Sequence, residues 1–112
     1  MISQAHQTAA RYPKEVSEFD TVGLKAQYLN DFSVPFVEEA YVKMGVKFRE
    51  KVELTINGTI LVIGEIQQVH LPHDAMHEDG FVDLVQAGTI TNSGLDSYHT
   101  VTKGTRYPYA KP

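Results

Sequence analysis

Two runs of alternating apolar residues meet at Asn57-Gly58, and that dipeptide constrains the fold more than any other part of the chain. Both residues tolerate positive φ, as a two-residue type I′ connection requires, so Tyr41 to Leu71 is expected to form one long antiparallel hairpin. Such a turn sets Ile56 opposite Thr59 and thereby fixes the register. One face then pairs Leu54 with Leu61, Val52 with Ile63, Val46 with Val69 and Met44 with Leu71. That face is apolar and is expected to be buried. The other face pairs Thr55 with Ile60, Glu53 with Val62, Lys51 with Gly64 and Lys47 with Gln68, a mixture suited to a partly covered surface. Glu50 would face Glu65 on the apolar side, and like charges directly opposite repel, so a bulge or register shift is expected there. Arms of about 13 to 15 residues reach roughly 45 Å, long for a flat ribbon, and are expected to bend around a barrel.

The rest of the chain offers short elements. Ser3 to Arg11 contains tolerable helix formers, and Pro13 stops them near Tyr12. In Lys14 to Leu24, Ser17 is placed to cap a single helical turn and Gly23 to close it with positive φ, with Phe19, Val22 and Leu24 as anchors. Lys25 to Pro35 reads as a loop with a turn at Asn30-Asp31, and its Tyr28, Leu29 and Phe32 are too apolar for a free loop. Pro72 ends the second arm, and the following stretch is a loop punctuated by Gly80 and Gly88, with room for one helical turn. Thr89 to Asn92 favours a strand, Ser93-Gly94 a turn, and the Tyr- and Pro-rich tail an extended, surface-draped course.

Composition excludes several function classes. A length of 112 residues with 42% hydrophobic content supports one small domain spanning residues 1–112. The net charge of −4, without a basic run, argues against nucleic acid or an anionic membrane as partner. With no cysteine there is neither a disulfide framework nor a thiolate metal site, and no apolar stretch reaches the roughly 18 residues of a membrane span. A cytoplasmic location is the expectation.

Three groups could carry chemistry. His70, His73 and His77 have a spacing that would gather imidazoles on one side of a helix, but Pro72 interrupts it, so ordinary exposed histidines are the favoured reading and no metal site is expected. Ser17, Glu18 and Phe19, with His6, read as caps and solvated faces on physics alone. Asn92 to His99 presents Asp96, Tyr98 and His99 on a glycine-bearing turn, where ligand binding and plain turn formation are equally good accounts. No G-x-G-x-x-G, Walker A, G-x-S-x-G or H-E-x-x-H pattern occurs.

Several ordered segments together resemble the flavin reductase-like, FMN-binding split-barrel family, in particular its flavoredoxin-type members. They are AHQTAARYPKEVSEFDTVGL (5–24), NGTILVIGEI (57–66), LPHDAMHEDGFVDL (71–84) and SGLDSYH with the closing YAKP. The resemblance implies a mainly β fold with short helices, a Greek-key-like split barrel of which this chain is the C-terminal portion. It further implies a homodimer or higher oligomer that holds FMN near the subunit interface and passes electrons from NAD(P)H through it. Family members normally carry further residues ahead of the AHQT segment, which supply early strands and most of the FMN phosphate site, so an N-terminally truncated domain is expected. The cofactor-contacting positions it implies are Ser17, Glu18 and Phe19, together with Tyr98 and His99, while no catalytic residue is assigned. The alternative is a non-enzymatic oligomeric remnant of the barrel that no longer binds FMN.

Overall fold

The computed structural model describes residues 1–112, which form two compact units, Met1–Leu71 and Pro72–Pro112. The fold is mainly β with two short helices.

In the first unit, α1 (Ile2–Gln7) is shorter than the sequence pattern allows and buries none of its residues. Its Gln4 side chain donates to the carbonyls of Val22 (3.1 Å) and Gly23 (3.0 Å), tying it to the end of α2 (Glu18–Val22). Helix α2 is the capped turn expected. Ser17 Oγ accepts from the Asp20 N–H at 3.4 Å, and Gly23 closes the helix at φ +69°, a conformation that costs glycine little. Strand β1 (Ala26–Gln27) pairs antiparallel with β2 (Phe36–Val37), an element the loop-like text of Lys25 to Pro35 did not reveal. Asn30 and Asp31, both at positive φ, turn the chain between them. Phe32 packs on Phe36 with ring centroids 5.4 Å apart, as its apolar character requires, whereas Tyr28 remains 66% exposed.

The long hairpin is present as β3 (Lys43–Leu54) and β4 (Thr59–His70), twelve residues each. Its turn differs from the expected one. Gly58 alone has positive φ, and Asn57 instead uses its side chain, accepting from the Thr59 N–H (3.1 Å) and hydroxyl (2.7 Å). The Asn57 and Gly58 N–H groups both point to the Leu54 carbonyl, at 3.4 and 2.9 Å. The connection is therefore a four-residue loop closed by a left-handed glycine, not a two-residue type I′ turn. Pairing shifts accordingly: Leu54 lies opposite Thr59, Val52 opposite Leu61 and Glu50 opposite Ile63. A shift of two residues leaves each of these side chains on the face expected for it.

The irregularity foreseen near Glu50 is real and has a large consequence. The register slips between Phe48 and Glu50, leaving Arg49 as the extra residue, and slips back between Gly45 and Val46, where Gln67 is extra. Arg49 forms an ion pair with Glu65, so the carboxylate that would have met Glu50 meets a guanidinium. Each bulge also reverses the alternation of faces along its strand. Val52 and Leu54 consequently share a face with Leu61 and Ile63, while Met44, Val46 and Phe48 move to the opposite face, with Ile60, Val62, Ile66 and Val69. The expected pairs of Val46 with Val69 and Met44 with Leu71 are replaced by Val46 with Ile66 and Met44 with Val69. Gly64 fits this arrangement, since a Cβ there would overlap Cγ1 of Val46 diagonally across the ribbon.

The expectation of one buried apolar face is thus corrected in two ways: both faces carry apolar side chains, and most of these are exposed within the chain. Phe48 is 61% and Ile66 54% exposed. Only the base of one face is covered, where Gly45 lets the rings of Phe32 and Phe36 approach and His70 meets Phe36 edge-on at 5.2 Å. The buried hydrophobic residues are few, Leu24 and Phe36 in this unit and Ala75 and Ala87 in the other.

In the second unit, residues 72–88 form turns instead of a helix, with Gly80 and Gly88 at positive φ and a single bridge between Met76 and Val82. Strands β5 (Ile90–Ser93) and β6 (Ser97–Thr100) make a short hairpin around Gly94, as the strand and turn signals anticipate. The tail after Thr100 has no regular structure and is held by Arg106, which pairs with Asp79 at 2.6 Å and lies 4.2 Å from the centroid of the Phe81 ring. No helix is long and apolar enough to cross a membrane.

Candidate functional site

Helix α2 determines where three of the expected site residues stand. Ser17 is its N-cap and Glu18 and Phe19 are its first two residues, so the chain leaves Gly23 directly over Phe19, whose carbonyl accepts the Leu24 N–H at 3.0 Å. Leu24 is buried there, and β1 begins two residues later. The outcome is a groove of about 680 Å³ in the first unit, whose lining includes Ser17, Phe19, Leu24, Ala26, Tyr28 and Pro35. Glu18 does not line it. Sequence reasoning missed Tyr28 and Ala26 as lining residues; the signal available was the surplus of apolar side chains in an apparent loop.

The polar rim of this groove is acidic. Lys25 Nζ lies 3.8 Å from Glu38, and Asp20 and Glu38 together outnumber the single ammonium. Beside it, the Glu39 carboxylate accepts the Lys25 backbone N–H at 3.1 and 3.2 Å. That hydrogen bond, chiefly, holds the Glu39 carboxyl below the usual glutamate range. The Ser17 hydroxyl accepts from Asp20, so its own proton stays available for donation into the groove.

Tyr98 and His99 belong to the second unit. In β6 Tyr98 faces Asn92 and His99 faces Thr91 across the hairpin, and as consecutive strand residues they project to opposite sides. His99 Nε2 lies 2.7 Å from Ser93 Oγ, and Asp96 in the turn accepts from the Ser97 hydroxyl at 3.2 Å. The three histidines expected to be ordinary are placed individually. His70 meets Phe36 edge-on, His73 is exposed, and His77 meets Phe81 edge-on at 5.3 Å; no three His, Asp or Glu side chains anywhere in the chain are grouped to hold a metal ion.

An FMN molecule presents a planar ring system and a phosphate, and the first unit's groove suits them unequally. A half-buried Phe19, the Tyr28 ring and the Leu24, Ala26 and Pro35 walls match a flat, largely apolar ring. The phosphate finds no match, because the one ammonium is already paired and two carboxylates would repel it.

The family described as Flavin reductase like domain matches residues 1–87. A solved structure from Shewanella frigidimarina NCIMB 400, assigned as a flavin reductase with split barrel domain, is 51% identical with a TM-score of 0.91, over 96% of this chain and 55% of that one. Nitrilotriacetate monooxygenase component B from Bacillus cereus is 22% identical with a TM-score of 0.77, over 95% of this chain and 54% of that one. Flavoredoxin of Desulfovibrio vulgaris (Miyazaki F) is 21% identical with a TM-score of 0.69, over 94% of this chain and 56% of that one. The latter two show likeness of fold, and the chain spans about half the length of each of the three structures. No curated protein matches the chain. The architecture is that of split-barrel flavin reductases, as the sequence resemblance implied.

Proposed function

The chain belongs to the flavin reductase like domain family, and from that premise we propose that it serves flavin reduction, with FMN as the flavin and NAD(P)H as the electron source. The observation that carries this reading is the groove beside α2, about 680 Å³ in volume, whose lining brings Phe19 and Tyr28 together with Leu24, Ala26 and Pro35. When bound, the flavin supplies the hydride chemistry, and the protein's part is to position and to exclude water. Phe19 and Tyr28 would pack on the ring, Ser17 would donate its free proton to a ring heteroatom, and Leu24 and Pro35 would keep solvent from one side. Tyr98 and His99 are further candidates, of which β6 can turn only one toward any single ligand face. Glu18 does not line the groove.

We also assign the chain to a homodimer, in which a second copy covers the ribbon face of Val52, Leu54, Leu61 and Ile63. Burying what each of these side chains still exposes, 38–51% of it, stabilises the assembly by about 0.6–1.5 kcal/mol apiece. A second reading, an oligomeric module that holds no FMN, is favoured by the acidic rim and the unmatched phosphate. Visible absorption of the purified chain, after addition of FMN and desalting, decides between them. Retained flavin bands that weaken in Phe19→Ala, together with NAD(P)H oxidation, support the first reading. A colourless protein in every case refutes it in favour of the second.

A further inference from the structure

A second cavity lies within the Pro72–Pro112 unit, apart from the groove assigned to the flavin ring. It spans about 520 Å³ between the turns at Phe81–Val85 and the extended tail at Val101–Arg106. One carboxylate ties both walls together: Asp79 Oδ1 accepts the Phe81 N–H at 3.1 Å, and its Oδ2 accepts from the Arg106 guanidinium at 2.6 Å. Arg106 also lies 4.2 Å from the centroid of the Phe81 ring, which holds the tail on the loop a second time. The loop itself is braced by the bridge between Met76 and Val82 and by the Asp83 N–H, which donates to the carbonyl of the fully buried Ala75 at 2.7 Å. Both walls are therefore set before any ligand arrives, and a ligand is spared the cost of ordering them.

The lining offers one chemistry for the body of a ligand and another for its end. Phe81, Val82, Leu84, Val85 and Val101 supply apolar surface, with Leu84 and Val85 still 49% and 47% exposed. Among the ionisable lining residues, Arg106 is committed to Asp79, His77 meets Phe81 edge-on, and Asp83 Oδ1 accepts the Val85 and Gln86 N–H groups at 2.9 and 3.1 Å. Lys103 forms no ion pair. One open ammonium beside an apolar surface matches one carboxylate on an apolar body. A dianion would find no second open cation, and Asp83 in the same lining would repel it. The volume falls within the roughly 300–1,000 Å³ of small-molecule sites, which combine apolar walls with a few polar groups in this way. We propose that this cavity is a binding site for a small organic monocarboxylate, its carboxylate on Lys103 and its apolar body against Phe81, Leu84 and Val101.

Phenylbutyrate has this chemistry, and it is titrated into the full 112-residue chain while backbone amide shifts are followed by NMR. The expected result is saturable shifts at Phe81–Val85 and Val101–Arg106, half-complete near about 1 mM for a ligand of this size. Phenylbutanol, alike in body but uncharged, should bind about two- to five-fold more weakly, as should phenylbutyrate to Lys103→Gln, because an exposed ammonium–carboxylate pair is worth about that factor. Lys103→Arg should retain binding. Lys111→Gln, which removes a tail charge outside the cavity, should leave it unchanged. Leu84→Asn should weaken the acid and the alcohol alike, which separates the body of the ligand from its end. Three outcomes overturn the proposal: no saturable shift up to about 10 mM, shifts centred on residues outside the two walls, or affinity for phenylbutyrate that Lys103→Gln changes no more than Lys111→Gln does. The readout needs no flavin, so its failure and a failure of flavin binding are separate results.

Discussion

Replacing Gly64 by alanine should destabilise the protein, although alanine ordinarily stabilises a strand. The usual gain is about 0.5–1 kcal/mol, because glycine loses more backbone freedom on folding. Here the added Cβ would overlap Cγ1 of Val46, while Val46 Cβ would stand at an ordinary 3.7 Å and the Lys47 carbonyl at 3.6 Å. Relief must therefore come from the valine. Its χ1 is stiff, so a displaced rotamer costs about 0.5–1.5 kcal/mol, and overpacking that also moves backbone costs about 1–3 kcal/mol. The net expectation is a loss of roughly 0.5–2 kcal/mol, or a fall in Tm of about 2–8 °C for a domain of this size. In a Val46→Ala background the clash disappears and only the backbone gain remains, so the same Gly64→Ala change should raise Tm by a few degrees. Thermal unfolding of the four proteins of the cycle, by circular dichroism at one fixed protomer concentration, measures this sign reversal. Equal destabilisation in both backgrounds would refute the placement of Val46 over Gly64, and with it the face reversal at the Arg49 bulge.

Two further outcomes follow from local geometry. Gly23→Ala should cost about 1–2 kcal/mol in urea unfolding and Gly23→Asn less, because the penalty is the left-handed backbone at φ +69°; the nearest atom outside the chain neighbours, Gln4 Nε2, would be 3.8 Å away. The Asp79 carboxyl is held below the usual aspartate range, first by the Arg106 guanidinium and then by the Phe81 N–H. With its folded value depressed, its contribution is fully present above about pH 4 and is lost as pH falls through the lower value. Acid titration followed by NMR at Phe81 and Arg106 should show the tail contact released only below that point, and Asp79→Asn should remove the dependence.

The sequence by itself determined the elements whose cause is local. Ser17 and Gly23 delimit α2 because a hydroxyl N-cap and a glycine at positive φ are needed there whatever surrounds them. Two alternating runs flanking Asn57-Gly58 specify a hairpin, and Glu50 across from Glu65 announces a bulge, since like charges cannot share that place. The family resemblance was legible for the same reason, carried by ordered segments of sequence. What the sequence left open was decided by competition between groups distant along the chain. Asn57 accepts from Thr59 instead of turning by positive φ, and with that four-residue loop goes a register two residues away from the one a type I′ turn would set. The β1–β2 pair was invisible because two-residue strands carry no periodicity. The groove beside α2 likewise exists only where Tyr28 and Pro35, in an apparent loop, return to Ser17 and Phe19. Alternation along a strand states which side chains share a face only while pairing is regular. One extra residue reverses it, and it is tertiary pairing that decides where that residue goes.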